Sequence, residues 1–209
     1  MAVFRWEVCE AIRSEQIIGV IRAAGPDEAV RLGEAMIAGG LRIVEVALTT
    51  PHGLEAIRQL ASRDDDGRLV GAGTVLDGEA AFAAAQAGAR FLVAPCVAPE
   101  MIRVGHRYGC AVLPGAFTPT EIGYALELGA DLVKVFPACD LGAGFVRNVR
   151  AVFPQAPLVP TGGITVENLA AFLDAGAVAV GTGSSLTSEG PEPARIRAGE
   201  MVEAVRSRR

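Results

Sequence analysis

The stretch DLVKVFPA, residues 131 to 138, sets Lys134 in a run that otherwise reads as a buried strand. Eighteen of the nineteen basic residues are Arg, and Lys134 is the only Lys in the chain. Alternation along a strand puts Leu132, Lys134 and Phe136 on one face and Val133 and Val135 on the other. The valines suit an apolar layer, so Lys134 points to the opposite side. The same parity in RIVEVAL sends Ile43, Glu45 and Ala47 one way and Val44 and Val46 the other. A buried Lys could be half of a structural ion pair. Arg suits a buried bidentate pair better, and this chain uses Arg freely. A Lys can lose its proton and attack a carbonyl to form an imine, which a guanidinium cannot do. Burial disfavours the ammonium form and raises the free-amine fraction. A neighbouring carboxyl such as Glu45 opposes that shift while ionised, yet it can shuttle protons while the imine forms.

A second group of residues has the chemistry of an anion site. PTGGIT places Thr161, Gly162 and Gly163 in one turn, and GTGSSL places Gly183 and Ser184 in another. Adjacent glycines let backbone N–H groups approach a phosphate closely, and Ser184 adds a hydroxyl donor. Either turn alone is an ordinary turn signal; both together point to phosphate. Polar residues on or just after predicted strands complete the candidates: Arg22, Thr49 and Thr74. Pro95, Pro114 and Pro137 each follow or end a strand and would shape its exit. Cys139, His52, His106 and the acidic triplet at 64 to 66 are read as carrying no chemistry, the triplet as a solvated loop.

The elements that must hold these residues repeat. Short β-branched runs follow Gly40, Gly67, Gly88, Gly109, Gly129 and Gly176, and APLVPTGG is a further run entered by Pro157. With QIIGVIR, residues 16 to 22, the total is eight. Amphipathic stretches lie between them. PDEAVRLGEAMIAGG carries Pro26 in its first turn; Thr50 and Thr118 are expected N-caps, each followed by Pro. Thr118 with Glu121 fits a capping box, and TVENLAAFLDAG is expected to be helical after PTGGIT. A Gly after each helix suits a left-handed C-cap. Alternating strands and helices at this spacing require parallel strands, and eight units close into a (β/α)₈ TIM barrel, an α/β fold. An open doubly wound sheet is the alternative, but no G-x-G-x-x-G turn follows the first strand. Residues 1 to 15 are an extra N-terminal helix and about 191 to 209 another, expected to cap the barrel and close its ring. No linker is visible, so 1–209 reads as one domain. In such a barrel chemistry sits at the C-terminal strand ends, and phosphate commonly binds the loops after the seventh and eighth strands.

Composition narrows the function classes. The chain is 51% hydrophobic and 21% charged, enough for a sizeable core. A net charge of −5 argues against a nucleic-acid surface. No apolar segment has membrane-spanning length, and MAVFRWEVCEAIR carries charges where a signal peptide would be apolar. Cys9, Cys96, Cys110 and Cys139 lack metal-ligand spacing and read as reduced thiols of a cytoplasmic protein. With two His residues a three-His metal centre is impossible.

EVALT, GAGTV, LPGAFTPTE, KVFPA, PTGGIT and GTGSSL, in this order, resemble the 2-keto-3-deoxy-6-phosphogluconate (KDPG) aldolase family over about residues 14 to 190. The resemblance implies a homotrimeric barrel needing no metal or organic cofactor, acting on a phosphorylated 2-keto-3-deoxy sugar acid, with no nucleic-acid or membrane partner. By position, Lys134 matches the family's Schiff-base lysine and Glu45 its acid/base glutamate. Thr74, Pro95, Thr161 and Phe136 match the substrate pocket, and Gly162, Gly163 and Ser184 the phosphate loops, with Gly183 beside them. Some members carry Arg directly after the E-V-x-L stretch to hold the substrate carboxylate; here that residue is Thr49. Other members use an Arg ending the first strand, and Arg22 stands there. Gluconate and galactonate enzymes differ around these strands, so both epimers stay open as substrates, with 4-hydroxy-2-oxoglutarate as a secondary one. A sugar-phosphate isomerase and a phosphometabolite-binding barrel without catalysis are the readings outside the family.

Overall fold

The computed structural model describes residues 4–63 and 67–208; the acidic triplet at 64 to 66 lies outside them. Nine parallel strands appear among the described residues: β1 (Ile17–Ile21), β2 (Ile43–Ala47), β3 (Leu69–Gly73), β4 (Phe91–Val93), β5 (Ala111–Leu113), β6 (Gly115–Ala116), β7 (Val133–Val135), β8 (Leu158–Pro160) and β9 (Val180–Thr182). They hold eight barrel positions, because β5 and β6 are two halves of the fifth strand, divided at Pro114. Proline has no N–H to give a ladder. The lower half therefore pairs with β4 and the upper half with β7. Sheet order runs β5-β4-β3-β2-β1-β9 and then β6-β7-β8, and a bridge from Thr161 to Gly181 joins β8 to β9. Ten helices accompany them: α1 (Arg5–Glu15), α2 (Pro26–Ala38), α3 (Gly53–Ala61), α4 (Gly78–Gln86), α5 (Pro99–Arg107), α6 (Pro119–Glu127), α7 (Ala138–Val152, broken at Gly142), α8 (Leu169–Asp174), α9 (Ser184–Thr187) and α10 (Pro191–Arg206).

The alternation expected from the sequence divides the core into two layers. Ile18, Ile43, Leu69, Phe91, Leu113, Leu132 and Val159 fill the barrel interior. Val44, Val46, Val70, Leu92, Val112, Val133 and Val135 face outward and bury against the helices. α1 closes the lower end by inserting Val8 and Ile12, both fully buried, into the interior layer. α10 lies beside α2 and completes the outer ring, with Ala194, Ala198 and Met201 buried. The glycines after the helices do take left-handed backbone, among them Gly40, Gly88 and Gly176.

Two helix starts differ from expectation. Thr118 caps α6 as expected, its hydroxyl accepting from the Glu121 N–H while the Glu121 carboxylate accepts from the Thr118 N–H at 2.8 Å. Thr50 does not cap α3. That helix begins three residues later behind His52, whose backbone is left-handed. The Thr50 hydroxyl is buried and instead accepts the Ala23 N–H at 3.3 Å, a tie between the loops after β2 and β1. TVENLAAFLDAG is helical only from Leu169. Its first residues form turns because Asn168 accepts the Thr165 N–H at 2.9 Å, satisfying it outside a helix.

Candidate active site

Glu45 and Lys134 stand inside the barrel toward the C-terminal strand ends, each 3% exposed. Register places Glu45 beside Gly71 and Lys134 between Gly115 and Val159. The position of the carboxyl depends on β3. A Cβ at Gly73 would lie 1.7 Å from Glu45 Oε1, so only a glycine leaves room for the side chain. Gly71, two residues earlier on the same face, makes room for the Phe91 ring in the same way. The amine lies over the Phe136 ring, 4.8 Å from its centroid. Lys134 and Glu45 make no direct hydrogen bond or ion pair with each other; they are coupled through charge across the barrel.

That burial shifts both groups toward their neutral forms. Desolvation lowers the Lys134 pKa below the ordinary lysine value; the Glu45 charge opposes this and the Arg22 charge adds to it. Desolvation raises the Glu45 pKa, against the pull of Lys134 and Arg22. An amine and a carboxyl whose pKa values are displaced toward each other in this way are suited to nucleophilic attack and proton relay.

Above Lys134 opens a cleft walled by Val20, Arg22, Phe136, Thr161, Gly162, Gly163, Ile164, Gly183 and Ser184. Thr161 is buried on the interior face, and Gly181 beside it has no side chain because a Cβ there would lie 2.4 Å from Thr161 Oγ1. Gly162 and Gly163 both have positive φ, at 94° and 73°. The N–H groups of Gly163, Ile164, Gly183 and Ser184 donate to no acceptor among the described residues, while that of Gly162 faces Gly181 in the bridge to β9. Consecutive unpaired amides at one wall form an anion-binding surface. Arg22 is exposed at the rim without a hydrogen-bond or ion-pair partner among the described residues. Its loop is fixed by the Thr50 bond to Ala23 and by Glu28 accepting the Ala24 N–H at 2.7 Å.

The cleft thus brings together Lys134, Arg22, Phe136, Thr161, Gly162, Gly163, Gly183 and Ser184 from the residues singled out in the sequence, with Glu45 buried alongside. Thr49, Thr74 and Pro95 are not among its walls. Thr49 is exposed because the strand alternation ends at Ala47 and the chain turns. Thr74 is half-buried after β3 with φ of 58°, and Pro95 is half-buried after β4. Sequence reasoning did not single out Gly73, Gly181, Val20 or Ile164. Inward-facing glycines flanking a catalytic candidate on the next strand were the available signal for Gly73. Also unforeseen is the tie behind the cleft: Thr182 and Ser185 hydroxyls lie 3.0 and 2.7 Å from the Ile164 carbonyl and 2.8 Å from each other. With one hydrogen each, the two hydroxyls can form a chain ending on that carbonyl.

No cluster of three metal-ligating side chains occurs among the described residues. Among the described residues no helix is long and apolar enough to cross a membrane.

Comparison with known proteins agrees with this geometry. The family model for KDPG and KHG aldolase matches residues 8–198. The 2-dehydro-3-deoxy-6-phosphogalactonate aldolase of Escherichia coli (strain K12) is 38% identical over 188 residues, covering 90% of this chain and 87% of the relative. The 2-dehydro-3-deoxy-phosphogluconate aldolase of Treponema pallidum (strain Nichols) is also 38% identical, over 167 residues and 79% of each chain. The crystal structure of a KDPG aldolase from Legionella pneumophila, with pyruvate captured as a covalent carbinolamine, superposes with a TM-score of 0.81 at 30% identity, covering 95% of this chain and 97% of that one. The chain therefore belongs to the KDPG and KHG aldolase family, as a class I aldolase, a lyase of the KDPG/KDPGal type.

Proposed function

We propose that the protein cleaves 2-dehydro-3-deoxy-6-phosphogluconate to pyruvate and glyceraldehyde 3-phosphate through an imine on Lys134. The observation that carries this reading is a single desolvated amine, pushed toward its neutral form, with a buried carboxyl coupled to it. The neutral Lys134 amine attacks the C2 ketone, and Glu45 relays protons as the carbinolamine loses water. With the protonated imine as electron sink, Glu45 takes the C4 hydroxyl proton. The C3–C4 electron pair moves toward the imine carbon as the aldehyde leaves. The resulting enamine takes a proton at C3, and water hydrolyses the imine to pyruvate and free amine.

Arg22 is assigned the substrate carboxylate, in place of the Arg absent at Thr49. Thr161 and Phe136 line the pyruvyl end; Thr74 and Pro95 stand outside the cleft's walls and are given no contact there. The amides of Gly163, Gly183 and Ser184, beside Gly162, take the phosphate. Holding that remote group positions the bond to be broken, so binding there raises the rate of the chemical step. The galactonate epimer is the second reading, since the 38% identical E. coli relative acts on it. 4-Hydroxy-2-oxoglutarate would be a slower, phosphate-free substrate. One barrel domain over 1–209, assembled as a homotrimer in the cytoplasm, is the form in which we expect it to work.

Borohydride reduction in the presence of pyruvate is expected to leave a stable adduct on the peptide bearing Lys134. Lys134→Arg keeps the positive charge and removes the nucleophile, and turnover should fall below detection. Retained turnover would mean that Lys134 acts through its charge and not as the nucleophile. A coupled pyruvate assay on the two epimers decides between gluconate and galactonate; release from neither would leave a binding barrel.

A further inference from the structure

The anion-binding wall is built by pulling carbonyls away from it. In a trans peptide the C=O of one residue and the N–H of the next point in opposite directions. The only cis peptide among the described residues is Phe136–Pro137, so the three peptides from Thr161 to Ile164 are trans. The Thr161 carbonyl accepts the Ala138 N–H at 2.8 Å, which turns the Gly162 N–H the other way, toward Gly181. The Gly162 carbonyl accepts the Cys139 N–H at 3.0 Å, which does the same for the Gly163 N–H. The third carbonyl in the series, that of Gly163, has no backbone donor. It accepts Asn168 Nδ2 at 2.8 Å.

We propose that Asn168 is a positioning residue for the anionic group of the substrate: by drawing the Gly163 carbonyl outward, it turns the Ile164 N–H into the cleft as a further amide donor beside that of Gly163. This rests on the aldolase reading above and extends its phosphate site to two residues not assigned to it. Three observations bear on it. The Ile164 N–H has no acceptor among the described residues, although its side chain is buried. Ile164 is one of the cleft walls. The next peptide is fixed from both sides as well, because the Ile164 carbonyl ends the hydroxyl chain of Thr182 and Ser185 and the Thr165 N–H goes to Asn168 Oδ1. The loop therefore cannot rotate Ile164 out of line without breaking bonds to β9 and to Asn168.

Asn168 has a second, purely structural task as the acceptor for Thr165, and the two can be separated. Asn168→Asp keeps an acceptor for the Thr165 N–H but loses the donor to Gly163. Asn168→Ala loses both. Both variants should lower kcat/KM on the phosphorylated substrate by roughly tenfold or more, the loss expected for one hydrogen bond to a charged group. Imine trapping with pyruvate, which lacks a phosphate, should stay within about twofold of wild type. Titrating inorganic phosphate into 15N-labelled protein should shift the Ile164 amide resonance in wild type and much less in either variant. The proposal is overturned if the Ile164 amide ignores phosphate in wild type. An equal response in both variants, or a parallel fall in trapping and phosphorylated-substrate turnover, would also overturn it. The phosphate titration needs no turnover, so it decides the role of Asn168 even if wild type cleaves neither epimer, a result that would sink the aldolase reading separately.

Discussion

Lys134 and Glu45 shift each other's ionisation, and the direction of each effect can be read from pH profiles. Imine formation needs the neutral amine, so pyruvate trapping should rise with pH through a midpoint below the ordinary lysine value of about 10.4. The Glu45 charge holds the amine's pKa up against desolvation. Glu45→Gln removes that charge, so the trapping midpoint should move to lower pH even as overall turnover falls. A midpoint that moves upward would mean the two groups are not coupled as the geometry implies. Cleavage in wild type should decline on the acid side as Glu45 takes up a proton, starting above the usual carboxylate range because its pKa is raised. Gly73 tests the same carboxyl sterically. Gly73→Ala places a methyl group where Glu45 Oε1 now sits, and a displacement on the order of 1 Å costs about 100-fold in rate. Steady-state assays showing near wild-type turnover would mean Glu45 has no fixed role.

At the scale of elements, the start of α6 is held by a reciprocal pair of side-chain bonds between Thr118 and Glu121. Thr118→Ala should cost about 1 kcal/mol. In a chain of this size that lowers Tm by about 2–4 °C, measurable by calorimetry, with the kinetic constants unchanged. An unaltered Tm would show that the cap adds nothing beyond packing. This cap was legible in the sequence because both partners lie within four residues. Thr50 presents the same local pattern, a Thr followed by Pro, yet its hydroxyl serves the backbone of Ala23. The competing partner sits 27 residues away on another loop, and no local pattern carries that information. The break of the fifth strand has a local cause, the missing N–H of Pro114. Which neighbour each half pairs with follows from barrel closure.

Across the whole molecule, the apolar plug and the polar mouth occupy opposite ends of one interior. α1 supplies Val8 and Ile12 at the bottom, while Glu45 and Lys134 stand toward the C-terminal strand ends. Ile12→Ala removes a fully buried side chain and should destabilise the fold by about 2–5 kcal/mol. Chemical denaturation would register that loss. Pyruvate trapping by the folded protein should persist, because the plug contributes nothing to the site. If trapping disappears while the fold survives, the two ends are not independent.

The eightfold alternation, the inward direction of Lys134 and Glu45, and the paired glycine turns were all determined by the sequence itself. They follow from periodicity and from residue types with few alternative uses. Tertiary structure alone decided that Gly73 accommodates the Glu45 carboxyl, that Gly181 accommodates Thr161, and that Arg22 rather than Thr49 stands at the cleft. It also decided which carbonyls are drawn back so that their neighbouring amides remain unpaired. These are relations between strands and loops brought side by side by barrel closure. Steric exclusion and peptide orientation act through space, and a linear pattern does not record which distant backbone will be the neighbour.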